Sequence, residues 1–140
     1  MISNIILGIF LLICSVTDIR SKRISAAVLI VFAAAGCALF FIYRPVSLFE
    51  ETAGLLFGMV FIGLSILTEG KVGLGDGLMM MVTGVFLGAR ENGGLIMTAC
   101  FLSAIFSLIC LVLKKAGRNT EFPFAPFILI SFIFRRVLAL

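Results

Sequence analysis

Histidine and tryptophan are both missing from this chain, and tyrosine occurs once, at Tyr43. Without imidazole, no step can use histidine as a base or as a metal ligand. Charge is scarce as well: 13% of the 140 residues are Asp, Glu, Lys or Arg, against 62% hydrophobic. A soluble domain has about a quarter of its residues charged and about half apolar. This composition therefore excludes an ordinary water-soluble globule. The four cysteines, Cys14, Cys37, Cys100 and Cys110, contain no CxxC pair, and each sits in an apolar run. That pattern argues against a zinc site or a disulfide framework and reads as small buried hydrophobes. The net charge is +4, but the basic residues do not gather into one patch, which argues against a nucleic-acid partner.

What the chain has in quantity is long apolar runs: Ile2–Thr17, Ser25–Tyr43, Thr52–Thr68, Asp76–Ala89, Gly93–Leu113 and Phe122–Leu138. A bilayer span takes about 20 residues, with a range of about 17 to 25. The first and fourth runs are short and would borrow flanking residues or thin the bilayer locally. Backbone polar groups in lipid must be satisfied within the segment, so the runs are expected to be helices. The expected fold is all-α, a polytopic membrane protein with a bundle of six transmembrane helices. The six runs use nearly the whole chain, so residues 1–140 form a single domain with its site in the bundle or at its rim. The first run is not preceded by Lys or Arg and is followed by Arg20, Lys22 and Arg23. It therefore reads as a retained span rather than a cleaved signal.

Short polar gaps separate the runs. The first, third and fifth hold Arg20, Lys22, Arg23, Lys71, Lys114, Lys115 and Arg118; the other side holds Arg44, Arg90, Arg135 and Arg136. This bias places the odd gaps in the cytoplasm and the N-terminus outside, in a cytoplasmic (inner) membrane. Arg135 and Arg136 are suited to snorkel toward the interface or to lipid phosphate, which makes membrane lipids expected partners. Gly54 with Gly58, and Gly84 with Gly88, have the spacing that lets helices approach closely in lipid.

Of the seven acidic residues, Glu50, Glu51, Glu69, Glu91 and Glu121 fit loop solvation, whereas Asp18 and Asp76 each abut a long apolar run. Two spans lie between these aspartates, and an even number returns the chain to the same face. Both are expected at the cytoplasmic boundary. Taken alone, each could merely mark the interface, and Asp76 could be a helix N-cap. Asp76 is embedded in Gly73-Leu-Gly75-Asp76-Gly77. Such a segment has little side-chain bulk and access to positive φ, so an extended substrate could lie along its backbone. A glycine-rich helix start would explain the same residues without substrate. Two neighbouring carboxyls share a proton, so the ionised member can take a proton from water while the protonated one donates to a carbonyl. Which of the two is the base stays open.

Three elements then come together in order: Asp18-Ile-Arg20 followed by Ile24, Gly73-Leu-Gly75-Asp76, and Phe122-Pro123-Phe124-Ala125-Pro126-Phe127. Together they resemble the signatures of the type IV prepilin peptidases, GxGD-type intramembrane aspartyl proteases, and the resemblance runs from the first span to the last. It implies a six-helix membrane core with Asp18 and Asp76 as the catalytic pair at the cytoplasmic face. It implies cleavage of the basic leader of prepilin or pseudopilin precursors after a glycine, with no metal or other cofactor. Gly73, Gly75, Gly77, Arg20, Ile24, Pro123 and Pro126 are the candidate substrate-binding residues. The prolines also suit helix initiation, where a missing N–H costs nothing.

The chain departs from the family pattern at two places. Ile24-Ser25-Ala26 stands where the family usually has Ile-Pro-Asn, and Leu78 stands where Lys is common two positions after the second Asp. The N-terminal extension with paired cysteines found in larger members, associated with methylation, is not seen, so proteolysis without methylation is expected. The main competing reading is a non-enzymatic membrane subunit of a pilus or secretion assembly, motivated by those two departures. A GxGD protease acting on other membrane-anchored peptides is a third. The substrate's identity and the oligomeric state are not legible in the sequence.

Overall fold

In the computed structural model, residues 2–21, 24–43, 47–70, 73–113 and 122–138 are described. Lys22, Arg23, Arg44, Pro45, Lys71, Lys114, Lys115, Arg118 and Glu121, on which most of the orientation reading rests, lie outside the described residues.

The described chain is helical: α1 (Ile2–Ser21), α2 (Ala26–Tyr43), α3 (Leu48–Leu67), α4 (Leu74–Val112) and α5 (Ala125–Leu138). α1 and α4 are long and apolar enough to cross a bilayer; α2 and α3 contain the shorter apolar stretches Ala26–Ile42 and Thr52–Leu67. The described surface is rich in apolar side chains. Phe41, Phe49, Leu67, Met97, Phe101 and Val112 are among many large hydrophobic side chains turned outward. In water such a surface would drive aggregation; against lipid it needs no cover. The protein is a membrane protein.

α4 is the hub, packing on each of the other four helices and most extensively on α3. It is also divided. Gly88 has φ 74° and ψ 174°, a combination essentially restricted to glycine. The chain reverses there. Asn92 Nδ2 donates to the carbonyl of Met80 at 3.1 Å, a contact that a straight helix forbids, since twelve residues would separate the two groups by about 18 Å. Farther along, Phe106 meets Phe122 and Phe127, with ring centroids 5.4 Å apart in each pair. The fourth run therefore goes out from Asp76 and the fifth comes back toward α5.

The turn lies earlier than the sequence pattern suggests. Arg90-Glu91-Asn92, expected as a polar gap, is helical, and Asn92 is completely buried. Its amide also donates to Gly54 O at 3.2 Å, and Thr83 Oγ1 donates to Asn92 Oδ1 at 2.7 Å. One side chain thus ties α3 to both halves of α4. Close backbone approach makes this possible. A β-carbon on Gly84 would lie 2.5 Å from Gly54 O, and one on Gly58 would lie 2.7 Å from Gly77 O.

Arg135, expected to snorkel or meet lipid phosphate, pairs with Glu91 at 3.4 Å, and its guanidinium covers Gly94. Arg136 stands over the Phe132 ring.

Candidate active site

The buried face of α1 follows helical spacing: Leu7, Phe10, Leu11 and Cys14. Asp18 is one turn beyond Cys14 on that same stripe and is only 7% exposed. α1 runs on to Ser21, one turn past the end of its apolar run, so Asp18 belongs to the helix and to the core-facing side. Asp76 begins the equivalent stripe of α4, which continues through Met79, Met80 and Thr83, all fully buried. Both acids therefore extend apolar faces that pack inward.

Asp18 comes from the C-terminal end of α1, Asp76 from the start of α4, and the two lie within reach of each other's charge. The start of α5 joins them. Ala125 N donates to Asp18 Oδ2 at 3.0 Å across 107 residues of sequence, in a buried hydrogen bond. Asp18 thus caps a helix to which it does not belong, meeting the positive end of the α5 dipole.

Asp76 is in the first turn of α4, and the N-cap is Gly73; the N-cap role considered for Asp76 falls to Gly73. The Gly73 carbonyl accepts from Asp76 N at 3.1 Å and from Gly77 N at 3.4 Å. The Asp76 carboxyl folds back over Gly73, where a β-carbon would come within 2.9 Å of Oδ2. Among the described residues only Gly70 and Gly88 are glycines with positive φ. The expected use of positive φ around Asp76 is therefore replaced by a steric one. Gly73 makes room for the carboxyl. Gly75 receives Ile24, whose Cβ would be 3.4 Å from an added β-carbon. Gly77 is buried against α3, where a β-carbon would be 2.8 Å from Ile62 Cγ1.

The remaining candidate residues surround this end of the bundle. Arg20 is exposed in the last turn of α1. Pro123 and Pro126 are half-buried on either side of the α5 start. Leu78, at the position where Lys is common in the resembling family, is exposed. The structure thus brings Asp18, Asp76, Ile24, Gly73, Gly75 and the Pro123–Pro126 segment to one end, while Gly77 faces a neighbouring helix. Ala125 was not a candidate, because its contribution is a main-chain amide with no side-chain signature. Among the described residues no group of three or more His, Cys, Asp or Glu side chains is placed to hold a metal ion.

A model of the type IV leader peptidase family matches residues 5–112, which include both aspartates. The chain belongs to that family. Membership makes this a leader-peptidase-type membrane protease. No curated protein and no solved structure matches the chain. The family match stops before the Phe122–Phe127 element, yet that element supplies the amide bonded to Asp18.

Proposed function

We propose that this protease cleaves the basic leader of type IV prepilin-like precursors at the cytoplasmic membrane face, with Asp18 and Asp76 as its aspartyl dyad. The observation that carries this reading is that Asp18, buried at the end of α1 and bonded to the start of α5, and Asp76, 58 positions later at the start of α4, lie at one end of the bundle within reach of each other's charge. Only α2 and α3 lie between the two aspartates, and two crossings of the bilayer by these helices return the chain to the same face, which supports a shared cytoplasmic position.

Two carboxyls in one low-dielectric site hold one proton between them. The ionised member removes a proton from water as the water oxygen adds to the scissile carbonyl carbon. The protonated member donates to the carbonyl oxygen. Collapse of the tetrahedral intermediate breaks the C–N bond, and the amine leaves with a proton returned from the dyad. The exposed backbone around Gly73 and Leu74 offers an edge to an extended leader. Exposed Arg20 and the apolar side chains of Ile24 and Leu78 flank it.

The test is leader cleavage in detergent or liposomes by wild type, Asp18→Asn and Asp76→Asn. Processing by wild type and none by either variant supports the dyad. Normal processing by either variant would sink it.

A further inference from the structure

Every helix begins with amides that no earlier turn can satisfy. In α5 the accounting is short. Pro126 has no N–H. Phe127 N donates to Phe124 O at 3.0 Å, and Ile128 N donates to the same carbonyl at 3.4 Å. This leaves Ala125 N, which donates to Asp18 Oδ2. Ala125 is itself completely buried, so the contact is shielded from competing water. The proline thins the first turn to one donor aimed at one carboxylate oxygen. Phe122 and Phe127, either side of that donor, are held by Phe106 from the returning half of α4. The amide is therefore fixed from outside α5 as well as within it.

We propose that the main-chain amide of Ala125 is a positioning group for Asp18: it anchors Oδ2 and leaves Oδ1 directed to the reaction with Asp76. This role rests on the dyad reading above. A simple helix cap would need only some acceptor at Ala125, and water or a local side chain would serve. Here the acceptor is one of the two acids of the site, and the donor is the one amide among residues 125–128 that finds no acceptor within its own turn. The Pro123–Pro126 element then acts through its backbone, with Pro126 narrowing the choice of donors and Ala125 making the bond.

Replacing the amide with an ester isolates the effect. The α-hydroxy analogue of alanine at position 125 keeps the methyl group and removes only the N–H. Ala125→Pro also removes the donor at a helix position where proline is favoured. Ala125→Gly keeps the donor and serves as the control. With a prepilin-type substrate, the ester and Ala125→Pro should lose roughly ten- to a hundredfold in kcat per folded molecule, with KM within about twofold. Ala125→Gly should stay within about threefold of wild type. The infrared carboxyl band absent from Asp18→Asn should shift in the ester variant, reporting that the bond to Oδ2 has been lost, while the fall in kcat at near-constant KM is the readout a purely structural role would not move. Wild-type kcat in the ester variant overturns the inference and leaves the dyad standing. If wild type cleaves no leader, the dyad reading fails and the positioning role falls with it.

Discussion

The carboxyl of Asp76 rests over the α-carbon of Gly73, so close that an added β-carbon would lie 2.9 Å from Oδ2 and 3.4 Å from Cγ. Gly73 is exposed on its other side. The first glycine of the GxGD element thus leaves the space into which the Asp76 carboxyl folds. Gly73→Ala should leave thermal stability nearly unchanged, because the alanine meets a movable side chain rather than backbone. Leader cleavage should fall by roughly tenfold or more, since a small misplacement of a catalytic group is expensive in rate. Parallel melting and cleavage measurements check this; unchanged activity would contradict the steric role.

Asp18→Asn and Asp18→Ala should separate architecture from chemistry. Asparagine keeps an oxygen to accept from Ala125 N, so its melting temperature should stay near wild type. Alanine loses the cap, at about 1 kcal/mol. Both should be inactive in leader cleavage. An active asparagine variant would remove Asp18 from the mechanism.

Asn92→Ala should be costly for stability, although the residue is remote from the acids in sequence. It removes three hydrogen bonds at a buried junction, those to Gly54 O, Met80 O and the Thr83 hydroxyl, although Thr83 Oγ1 keeps its bond to the Met80 carbonyl at 3.0 Å. A group left unsatisfied costs about 1–3 kcal/mol. Unfolding in detergent, followed by helical circular dichroism, measures the loss.

Gly84→Ala tests the α3–α4 contact by a different mechanism. Its new β-carbon would be 2.5 Å from the Gly54 carbonyl oxygen and 2.6 Å from its carbon. Backbone cannot rotate aside as a side-chain tip can, so the helices must separate. Overpacking of this kind costs about 1–3 kcal/mol, read as a lower unfolding midpoint in detergent.

Glu91→Gln is the negative control. The Glu91–Arg135 pair is half exposed on both sides, and such pairs contribute about 0–1 kcal/mol. The pair is beside the Gly88 reversal, away from the acids. Cleavage should be unchanged and the melting temperature nearly so.

Residue order put each acid against the end of an apolar run but did not show which face of its helix it occupies. Asp18 follows Leu7, Phe10, Leu11 and Cys14 on one stripe, and Asp76 leads into Met79, Met80 and Thr83. That these faces turn inward depends on what the other helices pack against them. The α4 reversal was harder to place, because Arg90, Glu91 and Asn92 carry the polarity of a loop while Gly88 carries the backbone freedom. Polarity and chain direction separate here because Asn92 spends its amide on buried carbonyls rather than on water. The glycines near Asp76 were legible as a cluster but not by role. Clearance at Gly73, contact with Ile24 at Gly75 and packing at Gly77 all depend on what other helices bring to them.

The bond between Asp18 and Ala125 has a practical corollary for dissecting the chain. A fragment stopping at Val112, where the family correspondence ends, would retain both aspartates while forfeiting the strut that steadies one of them. Supplied separately, the segment from Phe122 onward would be the piece to restore it, turning a helix start into an assayable spare part.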